Sequence, residues 1–278
     1  MKAARPMFPD PQNRLALTAI AQNAAHGKWR TEAMRSHETP RLIFVAKGQG
    51  RITVAGLTRG FGANNLIFLP PKTMYGFECG PTVYGQMLTI PGAMASEWPD
   101  EPQHLRLRDV VAQKELATHL DALERELKST LPGSLRAAHY QLGLLSIYFE
   151  RQMNQRDDDT FDARTETASA RLVAAYTDLI ERHYHEARTV SDYATMLGVT
   201  PTHLTRCCKE TSDASALTLL NDRILFQARL MLRDSALPVA RVADQLGFGS
   251  AAYFTRSFQA KTGLTPSQFR KKGPLTAL

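Results

Sequence analysis

Two Thr-Arg pairs, Thr205-Arg206 and Thr255-Arg256, stand at matching places in two copies of a repeated segment. An arginine can donate two hydrogen bonds to O6 and N7 of guanine, and a threonine hydroxyl can bond either base type. Residues 188–278 hold 12 Lys and Arg against 6 Asp and Glu, whereas residues 1–187 hold 22 against 21. A basic region beside a neutral one suggests a phosphate-bearing partner, although a solvated basic face would give the same balance.

The first copy has the pattern of two short helices joined by a glycine turn. An apolar face runs from Val190 to Leu197, with Ser191 as its expected N-cap. Gly198 can take the left-handed conformation that ends a helix. Thr200-Pro201 then provides an N-cap and a first helical residue for a second helix. These features predict a helix-turn-helix unit.

The second copy, from Val239 to Phe258, repeats the apolar face and has one extra residue in its turn. Gly247 repeats the turn glycine and Ser250 repeats the N-cap. Between the copies, the apolar residues from Leu217 to Leu232 predict a long helix that joins the two units rigidly. We therefore expect the second helices of the two units to enter successive major grooves of DNA, about 34 Å apart.

These residues resemble the AraC/XylS family of bacterial regulators. The resemblance covers roughly residues 171–272, and its most specific stretches run from Gly247 to Phe258 and from Gly263 to Arg270. The first unit departs from the family pattern at three positions. Cys208 stands where the family usually has Phe, Asp213 where it usually has Gly, and Ile224 where Arg is often found.

The resemblance implies which residues of the two second helices contact bases. They are Thr202, Thr205, Arg206, Ser250, Ala251, Thr255 and Arg256. The alternative for the two threonines at 205 and 255 is that they only pack or cap. Four cations suit phosphates, which position a protein without specifying sequence, namely Lys209, Lys261, Arg270 and Lys271. Leu204, Phe254 and Phe258 continue the apolar face and are expected in the core.

The N-terminal half has a β pattern. Short apolar or alternating runs at residues 42–45, 51–54 and 66–69 predict a small barrel or sandwich. This half is similar, more loosely, to cupin-type sensor domains, whose turns would fall at Gly48-x-Gly50, Gly62–Asn65 and Leu69–Pro71. The predicted fold class is α+β multidomain: a cupin-like β-barrel with a helical segment, then an all-α domain with two helix-turn-helix units joined by a long helix.

Helical periodicity at residues 110–128 and 135–153 predicts two amphipathic helices. They could cover the barrel of their own chain or pair with a second subunit. The expected domains are 1–109 as sensor, 110–153 as dimerisation or packing segment, 154–170 as polar linker, and 171–272 as DNA-binding domain with units at about 189–210 and 238–260.

A metal enzyme is the alternative interpretation of the barrel. His37 and Glu38 stand where cupin enzymes have their first ligand cluster, but the paired second His is missing and Tyr75 occupies the place of the later one. We therefore expect no catalytic residues, no metal and no cofactor. The alternative is a metal-dependent cupin enzyme with an accessory DNA-binding domain.

The favoured interpretation is a metal-free barrel pocket for a small organic acid. The residues expected to line it are Arg41, Phe44, Arg51, Phe68, Met74, Tyr75, Tyr84 and Met87. A second alternative is a barrel that serves only for dimerisation. The expected partners are double-stranded DNA, a small-molecule effector, RNA polymerase and a second copy of the chain, in a regulator that activates or represses transcription.

The three cysteines are Cys79, Cys207 and Cys208, an odd and sparse count that suits a reducing bacterial cytoplasm. The sequence contains no run of eighteen apolar residues, so we expect no membrane span. Cys207-Cys208 could sense oxidants if a thiolate were exposed beside Arg206. The favoured alternative is that both are small apolar residues in the helix packing.

Overall fold

A computed structural model describes residues 13–20, 33–80, 82–155 and 167–271 of the chain. The strands are β1 (Ala16–Ala19), β2 (Arg41–Lys47), β3 (Gly50–Val54), β4 (Leu57–Phe61), β5 (Asn65–Leu69), β6 (Tyr75–Cys79), β7 (Tyr84–Thr89) and β8 (Gln103–Arg106). A short 3-10 helix covers Gly92–Glu97. Most of the polar linker expected at 154–170 lies outside the described residues.

Two packing helices follow the strands, α1 (Val110–Lys128) and α2 (Ser134–Asn154). The remaining helices are α3 (Ala168–His183), α4 (Val190–Met196), α5 (Pro201–Ser212), α6 (Ala216–Asp234), α7 (Val239–Gln245), α8 (Ala251–Thr262) and α9 (Pro266–Lys271). None of the helices in the described ranges is both long enough and apolar enough to cross a bilayer.

The N-terminal half is built from two antiparallel sheets. One has five strands in the order β1-β7-β2-β5-β8, and the other has three in the order β4-β3-β6. The turn between β2 and β3 contains Gly48 at φ +88°, and the turn between β4 and β5 contains Asn64 at φ +60°. The β-rich N-terminal half and the helical C-terminal half confirm the predicted fold class.

Alternation along β2 gives the five-stranded sheet two apolar faces. Ile43 and Val45 face the smaller sheet and pack with Ile52 and Phe77. Leu42 faces the other way and belongs to the core formed with α1 and α2. The inner faces of these two helices therefore cover the barrel of their own chain.

The C-terminal half contains two small cores that share one helix. Leu219 and Leu220 near the start of α6 pack in the core of the first unit, formed with α3, α4 and α5. Ala228 and Leu232, further along α6, pack in the core of the second unit, formed with α7 and α8. The predicted long connecting helix is confirmed, and a single rigid element fixes the position of one unit relative to the other.

The helix caps agree with the sequence at two of three places. Thr200 caps α5 and Ser250 caps α8, as predicted. The expected cap at Ser191 is wrong, because the N-cap of α4 lies two residues earlier, at Thr189. Thr189 accepts a hydrogen bond from the backbone N–H of Asp192, and the Asp192 carboxylate accepts one from the backbone N–H of Thr189 at 2.7 Å. This reciprocal capping box places Ser191 inside the first helical turn.

A buried polar contact joins the two halves of the chain. The Arg223 guanidinium on α6 donates from Nε to Oε1 of Glu181 on α3 at 2.6 Å, and the two side chains are 6% and 5% exposed. Ser36, just before β2, donates its hydroxyl to the other carboxylate oxygen of Glu181 at 2.6 Å. Next to it, the buried Arg35 lies over the ring of Tyr75 and within 6.0 Å of the Phe226 ring centroid.

The two turn glycines give a test of how the helix-turn-helix units are built. Both have positive φ, +67° at Gly198 and +75° at Gly247. An added Cβ at Gly198 meets nothing within 4 Å, whereas at Gly247 it would lie 2.5 Å from the backbone nitrogen of Ala187. Gly198→Ala should therefore lower the free energy of unfolding by about 1–2 kcal/mol, the cost of a left-handed non-glycine residue. Gly247→Ala should cost more, because backbone must move as well.

Urea unfolding of both variants, followed by circular dichroism, measures the difference. Equal losses would show that the contact between Gly247 and the 185–187 loop does not constrain the second turn.

Candidate nucleic-acid interface

Helix α5 presents a polar face opposite a buried one. Leu204, Cys207 and Cys208 are buried in the first core, as expected for the apolar side of a packed helix. The opposite side exposes Thr202 and Arg206. Thr205 and Lys209 share this side, and Thr205 is half-buried. Arg206 contacts His203 through Nη2 and Nδ1 at 3.1 Å, so two side chains one turn apart form one polar surface.

Helix α8 repeats this arrangement. Phe254 and Phe258 are buried, whereas Arg256 and Lys261 are exposed and Thr255 is half-buried. Within the described ranges, neither Arg206 nor Arg256 takes part in an ion pair. Both guanidinium groups are therefore available to an anionic or hydrogen-bonding partner.

Three predicted contacts of the second unit have structural roles. The Ser250 hydroxyl accepts from the backbone N–H of Tyr253 at 3.1 Å, so one of its lone pairs is used as the helix cap. Ala251 packs partly into the second core. The Arg270 guanidinium donates to the carbonyls of Leu232 at 3.1 Å and Leu237 at 2.5 Å. Arg270 thus satisfies one carbonyl near the end of α6 and one in the loop that follows it, and its phosphate contact stays a prediction.

The remaining predicted phosphate contacts, Lys209, Lys261 and Lys271, are exposed. Two exposed residues of the same helices were not predicted. His203 lies beside Arg206, and Tyr253 is 57% exposed near the start of α8. Each stands one residue before a core residue, Leu204 or Phe254, and so lies about 100° around the helix from it.

The three departures from the family pattern have distinct consequences. Cys208 is fully buried and fills part of the first core. Ile224 packs against the same core, while the neighbouring Arg223 takes the buried ion pair. Asp213 follows α5 in the left-handed conformation at φ 57° and forms an ion pair with Arg51 on β3. This bond raises the pKa of Arg51 and ties the end of α5 to the barrel.

Burial favours the packing interpretation of the cysteine pair over the oxidant-sensor one. Cys207 is 1% exposed and Cys208 is fully enclosed. Burial, followed by the neighbouring Cys207, raises the pKa of the Cys208 thiol to about 12. Because the thiolate is the reactive form, this thiol is protonated and unreactive at neutral pH.

We therefore expect iodoacetamide at pH 7.5 to modify the partly exposed Cys79 and to leave Cys207 and Cys208 unmodified in the folded protein. Mass spectrometry of tryptic peptides measures this, and all three cysteines should react in urea. Labelling of either cysteine of the pair at the rate of Cys79 in native protein would support the oxidant-sensor interpretation instead.

The residues expected to line a barrel pocket do not share one surface. Tyr75 and Met87 face the interior between the sheets, and Arg41 lies on the same face of β2 as Ile43. The other five lie elsewhere. Phe44 and Phe68 face α1 and α2, and Met74 packs in the core of the first unit. Arg51 and Tyr84 are exposed to solvent. The predicted pocket of eight residues is corrected, because alternation along a strand cannot show which face is inward.

The barrel interior itself is filled by side chains. The void lined by Ile43, Ile52, Phe61, Ile67 and Phe77, among others, has a volume of about 10 Å³. This is the space of about one water molecule. The described interior therefore leaves no room for an organic acid in this arrangement.

The positions that correspond to a cupin metal site form a different contact. His37 Nε2 and the Tyr75 hydroxyl are 2.9 Å apart and hydrogen-bonded. Burial, and then the charges of Arg41, Arg35 and Arg223, lower the pKa of His37 well below its ordinary value. Glu38 points away and pairs with Lys72 at 3.5 Å on the surface. Three arginines around a neutral histidine make this place electrostatically unfavourable for a metal cation.

The fold places this chain in the class of proteins that have two helix-turn-helix units attached to a β-barrel. A family model described as an AraC-like ligand binding domain matches residues 19–143, and a model described as a helix-turn-helix domain matches residues 193–272. The chain belongs to the AraC family of regulators.

Similar curated proteins match about a third of the chain. The arabinose operon regulatory protein of Salmonella typhimurium is 31% identical over 81 residues, which are 29% of this chain and 29% of that protein. An uncharacterized HTH-type transcriptional regulator of Staphylococcus aureus strain MSSA476 is 33% identical over 97 residues, 35% of this chain and 13% of that protein. The match thus spans less than a third of either relative.

Two solved structures illustrate the range of structural similarity. Wild-type ToxT of Vibrio cholerae, bound to unsaturated fatty acid, is 11% identical, with a TM-score of 0.44 over 95% of this chain and 97% of that one. The C-terminal domain of AraT, a response regulator of Geobacillus stearothermophilus, is 24% identical, with a TM-score of 0.37 over 40% of this chain and 92% of that one. Similarity at this level identifies no ligand.

Proposed function

We propose that this protein is a sequence-specific, DNA-binding transcription regulator that responds to a small molecule. The observation that carries the proposal is the pair of matching recognition helices, α5 and α8, each with an exposed arginine two residues after a buried core residue. Arg206 follows Leu204, and Arg256 follows Phe254. Two such helices held by α6 can read two half-sites on one side of a duplex. The basic balance of residues 188–278 supports phosphate binding.

The regulated step is the recruitment or exclusion of RNA polymerase. In this mechanism the effector favours one arrangement of the barrel relative to the two units. It can shift that equilibrium only by as much as its affinity differs between the arrangements. Two contacts join the barrel side to the DNA-binding side and would change between the arrangements. Ser36 donates to Glu181 of the buried Glu181–Arg223 pair, and Arg51 pairs with Asp213 on the surface.

The proposal also includes a homodimer formed through the outer face of α2. Tyr140, Leu144 and Ile147 recur at steps of four and three and are 69%, 50% and 45% exposed. The inner face of the same helix is already buried on the barrel. Arg136 and Glu150 are exposed near the two ends of this stripe. An antiparallel pairing of two copies would therefore place Arg136 beside Glu150 of the partner subunit at both ends.

Base reading by the second unit is tested by Arg256→Ala. We expect affinity for DNA selected from a random pool to fall by about 1–3 kcal/mol, with weaker preference at one or two base pairs. The phosphate-type variant Lys261→Ala should weaken binding to all DNA and reduce the salt slope by about 1. Fluorescence anisotropy at several salt concentrations measures both effects. Arg125→Ala, which removes an exposed arginine from α1, is the matched control.

An Arg256→Ala protein with unchanged affinity and unchanged preference would contradict the assignment of α8 as a recognition helix. Failure of the wild-type protein to select any DNA sequence would overturn the proposed function.

The proposed dimer is tested by Leu144→Glu. A charge in the centre of the apolar stripe should convert the dimer to a monomer, because an unpaired carboxylate cannot be buried at low cost. Sedimentation velocity at tens of micromolar protein measures the change. Ala117→Glu on the exposed side of α1 is the control and should remain dimeric. A wild-type chain that sediments as a monomer, or a Leu144→Glu variant that stays dimeric, contradicts this interface.

A further inference from the structure

A row of three side chains on α5 connects the first core to the exposed Arg206. His203 lies one turn before Arg206 and Cys207, so the three share one side of the helix. Arg206 donates from Nη2 to Nδ1 of His203 at 3.1 Å, and His203 Nε2 is 3.7 Å from the sulfur of Cys207. Cys207 is 1% exposed, whereas His203 and Arg206 are exposed. The imidazole therefore joins a fixed core atom to a surface guanidinium.

The chemistry of these groups determines which nitrogen of the imidazole carries the proton. A guanidinium has donors and no acceptor, so its contact requires an unprotonated Nδ1 on His203. The proton of the neutral ring is then on Nε2, which faces the weak acceptor Sγ of Cys207. Protonation of the imidazole puts a hydrogen on both nitrogens and adds a second positive charge beside Arg206. It therefore breaks the contact with Arg206.

Within the described ranges, the side chain of His203 is bonded to these two groups alone. The elements packed against α5 are α3, α4, α6 and β4, and none of their described acids or bases forms a hydrogen bond or ion pair with it. On α5 itself, Glu210 lies two turns further along the same side and accepts from the hydroxyl of Ser169 at 3.0 Å. A change in the charge of His203 therefore acts first on Arg206.

The second unit lacks this arrangement. Tyr253 stands where α5 has His203, one residue before a buried core residue. Its ring lies near that of Phe248, with the ring centroids 5.9 Å apart. Arg256 is the counterpart of Arg206, and in the described part of the chain it makes no hydrogen bond or ion pair through its side chain. Arg256 therefore loses more rotamer freedom on binding a base than Arg206 does.

We propose that His203 is a positioning residue for Arg206, and that its neutral form directs the guanidinium to a base pair of the first half-site. The proposal rests on the proposed function, because it needs α5 in a major groove. The bond to His203 leaves Arg206 enough N–H groups for O6 and N7 of guanine. Histidine is the side chain whose charge ordinarily changes between about pH 5 and pH 8. Sequence preference at the first half-site therefore falls on acidification, and preference at the second does not.

Specificity ratios of the full chain, measured at several pH values, test this inference. DNA is first selected from a random pool with the wild type, and Arg206→Ala and Arg256→Ala then identify the base pairs that each arginine reads. Fluorescence anisotropy gives the ratio of affinities for the selected duplex and for a duplex changed at one such base pair. A charge that acts on phosphates changes both affinities alike and cancels in the ratio.

The ratio at the base pair read by Arg206 should fall about three- to tenfold from about pH 8 to about pH 5.5, because the arginine is no longer held before it binds. The ratio at the base pair read by Arg256 should stay constant. His203→Asn keeps an acceptor near the place of Nδ1 and does not titrate, so its ratio should stay high at every pH. His203→Phe has no acceptor, so its ratio should be low at every pH. Tyr253→Phe on α8 is the matched control and should behave as the wild type does.

Thermal unfolding of every variant confirms that it is folded. A wild-type ratio that does not change with pH, or equal pH dependence at the two base pairs, would overturn the positioning role. So would a His203→Phe protein with the wild-type ratio, or an Arg206→Ala protein with unchanged preference at every base pair. The wild type would still have selected a DNA sequence in these cases, so the proposed function would stand. Failure of the wild type to select any sequence would overturn both.

Discussion

The buried ion pair between Glu181 and Arg223 is the constraint on which the arrangement of the two halves depends. Both side chains are removed from water, so each charge needs its partner and further hydrogen bonds. The Glu181 carboxylate obtains one from Ser36, which belongs to the barrel side, and Arg223 gives another to Gln227 at 3.1 Å. Removing any one of these groups leaves polar atoms buried without partners. The pair therefore fixes α3, α6 and the segment before β2 relative to one another.

Since α6 contributes to both small cores, the same contact also orients the recognition helices. The first unit is fixed through Leu219 and Leu220, and the second through Ala228 and Leu232. Gly247 in the second turn lies against the 185–187 loop of the first unit, which limits rotation of one unit about α6. The spacing of α5 and α8 thus follows from packing along one helix and not from a flexible linker.

Local sequence signals predicted most of the DNA-binding half. The turn glycines, the Thr200-Pro201 start of α5 and the Ser250 cap are determined by residues within one or two helical turns. The Ser191 cap was wrong because Thr189 and Asp192 form a competing capping box, which is also a local signal and could have been read. The inner faces of α1 and α2 followed from periodicity, since every third or fourth residue meets the barrel.

Local sequence signals of this kind could not predict contacts between distant parts of the chain. Arg51 and Asp213 are 162 positions apart, and nothing in either neighbourhood indicates the other. The same holds for Arg270, whose carbonyl partners lie 33 and 38 positions earlier. Strand alternation identified two faces of the barrel without showing which one was enclosed. A cavity beside α3, lined by Leu57, His104 and Ala174 among others, was not predictable for the same reason, because its walls come from segments far apart in sequence.

Helix α3 belongs to two structures at once. Ala170 and Ala174 line a cavity against the barrel, whereas Val173 and Tyr176 are buried in the first unit's core. Such sharing has a thermodynamic consequence that runs in both directions. Whatever factor an occupant of the cavity applies to DNA affinity, DNA must apply to the affinity of the occupant. An operator would then act as an effector of the small-molecule site. At one metabolite concentration, chains bound at the promoter and chains free in solution would then have different occupancies of the small-molecule site.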